Sequence, residues 1–208
     1  AELAVKQGFK IHSWQGFVDV AAFVQEYQNM MEFVFFKTNF VPGQGIGAVF
    51  QSQNQGNTRI RGGEISVLGQ GKLGPGQLSL LAGFTKISPQ YKEFDRNAGY
   101  NPSLGEVSRF WGSSDTTQNV LKYRYRNMFK WDSEYTIGKW SLGASVQYNS
   151  HMEAVDRVFE VFLSGVKSFR DSHNKGFTLL DLRTSWKINE QWKISAIAAN
   201  VLNQTYTL

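Results

Sequence analysis

Apolar and polar residues alternate with a period of two along much of the chain, most clearly between Gly176 and Tyr206. One set of alternate positions in this stretch is mainly apolar and the other is polar: Leu180, Leu182, Thr184 and Trp186 against Asp181, Arg183, Ser185 and Lys187. This alternation is typical of a β-strand with one apolar face. A polar turn at 189–191 follows, and the alternation resumes at Trp192. The pattern therefore predicts a hairpin.

The same pattern predicts eight strands over the whole chain, at about 2–13, 17–36, 48–68, 77–87, 120–135, 140–152, 177–188 and 192–202. Short turns at 14–16, 69–76, 136–139 and 189–191 alternate with longer connections at 37–47, 88–119 and 153–175. A β-bulge is expected at the Gly62–Gly63 pair. Outer-membrane barrels have short turns at one end and long loops at the other. We therefore predict an all-β fold, an antiparallel transmembrane β-barrel.

Composition is compatible with such a barrel. The mean hydropathy is −0.34, and the strongest apolar run, residues 33–36, is far shorter than the ~18 residues of a membrane helix. A barrel strand exposes only alternate residues to lipid, so its average hydropathy stays low. The aromatic content of 14% suits aromatic girdles, and we expect Trp186 and Trp192 to belong to one.

Charge and motifs indicate no enzyme and no cofactor. The chain has no cysteine and a net charge of +5. Its cations alternate with other residues, as at Lys122, Arg124, Arg126 and Lys130, which predicts one strand face lining a lumen and not a nucleic-acid interface. The three histidines, His12, His151 and His173, fit no zinc spacing. Residues 69–74 match G-x-G-x-x-G, but alternating strand residues follow instead of a helix, so we predict a turn there.

Several phrases resemble TonB-dependent outer-membrane receptors. The terminal hairpin, with its Asn200-Val201-Leu202 to Tyr206 phrase, resembles the penultimate barrel strands of that family. Residues 57–66, NTRIRGGEIS, resemble the family's Asn…Arg…Gly-x-Glu strand. Residues 2–10 and 19–29 resemble two further family strands. The resemblance extends over nearly the whole chain.

The resemblance implies about eight strands of a larger, 22-stranded barrel in the outer membrane of a Gram-negative bacterium, with the plug and the last strand expected outside these residues. It further implies TonB-dependent uptake of a scarce nutrient such as a siderophore, haem, cobalamin or an oligomeric nutrient. The implied partners are the TonB complex acting through the plug, outer-membrane lipid, an extracellular ligand and a surface lipoprotein. The alternative is a complete eight-stranded barrel with a structural or adhesion role, which requires a closed sheet.

The connection 88–119 is the main candidate for ligand contact. It combines aromatic rings, which stack on ligands, with guanidinium groups, which pair with carboxylate or phosphate. The best candidates are Tyr91, Arg96, Arg109 and Trp111. The alternative is a loop that packs its own aromatics against neighbouring strand ends.

The alternation also predicts which residues face lipid and which face the lumen. The expected lipid-facing residues are Leu80, Phe84, Trp140, Val146, Leu182 and Trp186. The expected lumen-facing residues are Arg124, Gln147, Asp181 and Arg183.

Overall fold

The computed structural model describes residues 1–41, 45–54, 56–95 and 118–206. The elements in chain order are β1 (Glu2–Ile11), β2 (Trp14–Tyr27), β3 (Met31–Val41), β4 (Gly45–Asn54), β5 (Thr58–Leu73), β6 (Gly76–Tyr91), β7 (Asn127–Ile137), β8 (Trp140–Asn149), α1 (Arg157–Phe162), α2 (Val166–Ser172), β9 (Phe177–Lys187) and β10 (Lys193–Ala198). None of the described helices has the length and apolar character needed to cross a membrane.

Eight strands form one antiparallel sheet in the order β1-β2-β5-β6-β7-β8-β9-β10. Among the described residues β1 pairs with β2 alone and β10 pairs with β9 alone, so these two strands are the edges. The sheet is therefore open. This confirms the expected antiparallel sheet of a larger barrel, and it does not have the closure that a complete eight-stranded barrel requires.

The strand register separates an apolar face from a polar one. Cross-strand partners point to the same side of a sheet, and Ile65 lies opposite both Val20 and Phe84. We call this side the outer face; it also carries Leu80, Trp140, Val146, Leu182 and Trp186. The opposite side, the inner face, carries Gln147, Asp181 and Arg183. The six residues predicted to face lipid share the outer face, and three of the four predicted to face the lumen, Gln147, Asp181 and Arg183, share the inner face.

The predicted strands 17–36 and 48–68 are wrong in their bounds, because the chain leaves the main sheet between them. β2 ends at Tyr27, and β3 and β4 form a separate two-stranded sheet over much of the predicted loop 37–47. Asn29 and Gly56 have left-handed backbones (φ 52° and 82°), which turn the chain out of the sheet and back. The Met30 amide donates to the Gly56 carbonyl at 2.9 Å and closes this corner.

The predicted bulge at Gly62–Gly63 is also wrong, since pairing on both sides of β5 continues through these positions without a shift. Gly62 instead provides space on the inner face. A Cβ atom there would lie 2.6 Å from Cζ of Phe23, its partner on β2. The glycine pair therefore serves close packing between regular strands.

The predicted strand 120–135 begins later than expected, at Asn127. Residues 118–126 lie across the end of the sheet, and there Leu121 and Lys122 are completely buried. Arg124 is therefore not a lumen-facing strand residue; its guanidinium donates to the Lys122 and Tyr123 carbonyls. The predicted loop 153–175 contains α1 and α2.

Most buried residues of the described chain lie at one end of the sheet, where residues 92–126 and 150–176 connect the strands; we call this the loop end. They include Val120, Leu121, Ala154 and Phe177 among the apolar residues and Lys122, Asn149 and Asp156 among the polar ones. Among the described elements, no second layer packs on the faces of the main sheet. The loop end is therefore the part of the described chain with its own packed core.

Candidate functional site at the loop end

Tyr91, the first predicted ligand contact, is the last residue of β6 and is half-buried. Its amide donates to the Asn119 side-chain oxygen at 2.8 Å, and the Asn119 side chain donates back to the Tyr91 carbonyl at 3.0 Å. Its ring stacks on Phe94, with centroids 6.4 Å apart. These contacts hold both ends of the predicted ligand loop together. The other three predicted contacts, Arg96, Arg109 and Trp111, lie outside the described residues.

A buried ion pair joins the two long connections. Lys122 Nζ lies 2.6 Å from Asp156 Oδ1, and the two side chains are 0% and 1% exposed. The Tyr123 hydroxyl donates to the other Asp156 oxygen at 2.7 Å. Burial, reinforced by this hydrogen bond, raises the pKa of the Tyr123 phenol far above its usual value. The buried Asp156 carboxylate needs both Lys122 and Tyr123 as partners, because removing a charge from water is costly.

Glu32, at the start of β3, lies in a cavity beside this network. The cavity is lined by Glu32, Phe50, Tyr123, Arg124, Asp156 and Phe159. Phe50 and Phe159 stack with ring centroids 5.7 Å apart, so α1 contacts the β3–β4 hairpin. Glu32 Oε2 is buried and has no hydrogen-bond partner among the described residues. Burial raises the pKa of Glu32, and the charges of Lys122 and Arg124 oppose that shift.

Two further ion pairs hold residues 150–176 against the sheet. Arg126 Nη1 donates to both Glu153 carboxylate oxygens at 3.1 Å. Arg170 on α2 bonds Glu160 on α1 at 2.7 Å and donates to the Met152 carbonyl at 2.8 Å. These contacts connect α1, α2 and the strand ends into one unit.

A second cavity lies between α2 and the chain that follows β10. Its lining includes both His151 and His173. Burial, together with the Arg170 charge, lowers the pKa of His151. Tyr206 stacks on Phe177 at 4.6 Å and encloses one side. Among the described residues, no group of three or more His, Asp or Glu side chains is placed to hold a metal ion.

The inner face below the loop end carries an ion cluster across three strands. Arg183 on β9 makes two hydrogen bonds to the Asp132 carboxylate, at 2.7 and 2.8 Å, and one to Ser145 at 2.8 Å. Its Nε lies 3.4 Å from Glu134. Ser145 also donates to Asp132. Paired charges of this kind need a polar or watery interior on the inner side of the sheet.

The described loop end offers aromatic rings and fixed charges, a combination that suits ligand binding. Sequence reasoning missed its central members, Lys122, Tyr123, Asp156 and Glu32. The alternation through 122–130 predicts a strand, whereas the strand observed there begins only at Asn127. The pairing of Lys122 with Asp156 is a long-range contact that periodicity does not encode.

Comparison with known proteins bears on the whole chain. The family model described as "TonB dependent receptor-like, beta-barrel" matches residues 1–203. A solved structure described as "Copper transporter OprC" is similar with a TM-score of 0.55 at 15% sequence identity, covering 99% of this chain and 25% of that chain. The likeness to that structure concerns the fold alone, and this chain spans a quarter of its length. No curated protein matches the sequence.

Proposed function

The chain belongs to the TonB-dependent receptor-like β-barrel family, and from this premise we propose that it forms part of the wall of an outer-membrane transporter. The transporter takes up a scarce nutrient, with energy delivered by a TonB complex. Its location is the outer membrane of a Gram-negative bacterium. The observation that carries the proposal is the open antiparallel sheet, apolar on its outer face and ion-paired on its inner face.

The two faces have different physical requirements. A charge on the lipid-facing side of a barrel costs about 2–4 kcal/mol near the bilayer midplane, and the outer face between Leu80 and Leu182 is free of charge in the described strands. The inner face carries Asp132, Glu134 and Arg183 in one cluster. Such a cluster fits the polar interior of a transmembrane barrel.

The substrate binds at the loop end in this proposal, with Tyr91, Arg96, Arg109 and Trp111 as the contacts. The support is the placement of Tyr91, because its pairing with Asn119 fixes where the connection 92–118 begins and ends. Siderophores, haem, cobalamin and oligomeric nutrients all carry groups that aromatic rings and guanidinium groups bind. A surface lipoprotein is a further proposed partner on this side.

Transport by the full-length protein tests the proposal. Cells expressing it are supplied separately with a ferric siderophore, haemin, cyanocobalamin and a maltooligosaccharide, with and without a protonophore. We expect accumulation of at least one probe that stops when the proton-motive force is removed. Accumulation that persists with the protonophore would indicate a passive pore, and no accumulation of any probe would contradict the proposed class of cargo.

The site is tested by replacing residues 96–117 with a flexible Gly-Ser linker. The replacement spares the Tyr91–Asn119 bonds, so we expect a folded barrel with at least about tenfold weaker binding of the transported probe, the loss of one to two good contacts. Lys139→Ala, in the turn at the opposite end, is the control and should bind normally. Unchanged affinity after the replacement would remove the loop from the site.

A further inference from the structure

The cavity beside Glu32 has the size and the walls of a small-molecule site. Its volume is about 510 Å³, within the range of about 300–1,000 Å³ that is usual for ligand pockets. Most of its wall is apolar, and Phe50 on β4 and Phe159 on α1 contribute to it as a stacked pair. Apolar walls with a few fixed polar groups are typical of sites that bind small ligands.

Glu32 brings to this cavity a hydrogen-bond acceptor that the protein does not use. Its Oε2 atom is buried and has no hydrogen-bond partner among the described residues. The neighbouring carboxylate of Asp156 differs, because Lys122 and Tyr123 donate to its two oxygens at 2.6 and 2.7 Å. A buried acceptor without a donor costs free energy. A ligand that supplies a donor to Glu32 would remove that cost.

Arg124 brings the opposite charge to the same cavity and has donors to spare. Its bonds to the Lys122 and Tyr123 carbonyls both leave from Nη1, so Nε and Nη2 have no partner in the described part of the chain. The Arg124 charge acts on Glu32, but the described residues show no ion pair between the two. A guanidinium group binds a carboxylate through two parallel hydrogen bonds. The cavity therefore holds one available group of each sign.

The backbone at Tyr123 explains how two consecutive residues line one cavity. In an extended chain Tyr123 and Arg124 would point to opposite sides, but Tyr123 has a left-handed backbone (φ 57°) and both line the cavity. This conformation is rare for an aromatic residue. The Tyr123 amide, which donates to the Ala154 carbonyl at 2.9 Å, helps to hold it. Such strain is concentrated at functional sites of proteins.

We propose that this cavity binds a short peptide with free ends, its ammonium group on Glu32 and its carboxylate on Arg124. An apolar side chain of the peptide packs against Phe50 and Phe159. A purely anionic ligand would satisfy Arg124 but would be repelled by Glu32. Because these two charges form no ion pair, a ligand whose own charges are separated by peptide bonds matches them. The inference rests on the proposed function and specifies its cargo, since a peptide is an oligomeric nutrient.

Peptide retention by the purified full-length protein tests the site. The protein in neutral detergent is dialysed to equilibrium against a pool of tripeptides of mixed sequence, and mass spectrometry quantifies the retained peptides. Parallel pools carry an acetylated amino terminus or an amidated carboxyl terminus. We expect retention of free-ended peptides with apolar side chains, and about 10- to 100-fold weaker binding of either blocked pool, which is the loss of one charged hydrogen bond. Equal retention of free and blocked pools, or no retention of any pool, would overturn the proposal.

Three variants assign each end of the peptide to its residue. Glu32→Gln should remove the preference for a free amine and keep the preference for a free carboxylate. Arg124→Lys keeps the charge but not the planar fork, so it should lower only the preference for a free carboxylate. Glu64→Gln makes the same change at an exposed carboxyl on the inner face of β5 and should bind as the native protein does. A preference for the free amine that survives Glu32→Gln would contradict the assignment.

The binding assay separates this inference from the proposed function. Dialysis requires neither a TonB complex nor a proton-motive force. Peptides that are retained but not accumulated by cells would contradict the proposed transport and leave the site intact. Protonophore-sensitive uptake of another probe, with no peptide retained, would contradict the peptide site alone.

Discussion

Gly143 lies directly opposite Arg183 in the β8–β9 register, and the Arg183 side chain occupies the space that a side chain at position 143 would fill. A Cβ atom there would lie 2.7 Å from both Cγ and Cζ of Arg183. The missing side chain allows the guanidinium to pass over β8 and reach Asp132 on β7 at 2.7 Å. One glycine thus permits an ion pair between strands that are not neighbours.

Gly143→Ala should therefore displace Arg183 and weaken the inner-face cluster. We expect a loss of about 1–3 kcal/mol in the free energy of unfolding, the usual range for overpacking. Gly83→Ala is the matched control on the inner face, because a Cβ atom there would lie 3.7 Å from the nearest neighbour, at ordinary contact distance. Urea unfolding of the full-length protein in lipid vesicles measures both. Equal losses would show that the Arg183 contact is not the cause.

Breaking the Lys122–Asp156 pair should loosen the loop end without unfolding the sheet. Lys122→Met leaves the Asp156 carboxylate buried without its cation, which costs about 3–5 kcal/mol. The double variant Lys122→Met/Asp156→Leu should lose less than the single one, because no uncompensated charge remains. Hydrogen exchange of residues 150–176 reports the local stability.

The exposed pair Lys167–Asp171 on α2 provides the control for that experiment. Its atoms are 2.7 Å apart, but the side chains are 66% and 65% exposed. Lys167→Met should change local stability very little, because solvent and salt screen an exposed pair. If Lys122→Met has no larger effect than Lys167→Met, the buried pair does not fix the loop end.

Glu32 should make the stability of the β3–β4 corner depend on pH. Burial raises the pKa of this carboxyl above 4.5, so the folded state binds its proton more tightly than the unfolded state does. The stabilisation is complete below pH 4.5 and is lost as pH rises through the folded pKa. Glu32→Gln should show protection factors, corrected for the intrinsic pH dependence of exchange, that stay constant across that window, and it should be more protected than the native protein at pH 7. Hydrogen exchange of residues 31–41 against pH measures this; a native profile as flat as the variant's would contradict it.

The sequence predicts the regular part of the fold well because alternation encodes which face each residue occupies. Leu182 and Arg183 are adjacent in the chain and lie on opposite faces, as the period of two requires. Family phrases added the expectation of an open section of a larger barrel, which the sheet order confirms. In these interior strands, local alternation is enough to assign each residue to a face.

The corner at Asn29 and Gly56 was not predictable by the same means. Residues on both sides of it alternate as strands, so the pattern runs on while the backbone turns out of the sheet. Lys122 similarly continues an alternating run, and only its contact with Asp156 reveals that it is buried. The loop-end cavities depend on such long-range contacts. The ligand residues Arg96, Arg109 and Trp111 stay predictions.

A lysine scan across neighbouring positions on β6 tests the orientation of the whole sheet. Leu80 lies on the outer face of β6, among the apolar outer positions 78–84, and Ser79 is the next residue on the inner face, opposite Glu134. Leu80→Lys places a cation toward hydrocarbon and should cost about 2–4 kcal/mol. Ser79→Lys places the same charge beside a carboxylate in the lumen and should cost little. Urea unfolding in vesicles compares the stabilities of the two variants. Independently, spin labels at positions 79 and 80 report which position is accessible to a lipid-soluble quencher. Because the register ties Leu80 to Ser133 and Gly69, a reversed result at this one pair would reverse the faces of β5, β6 and β7 together.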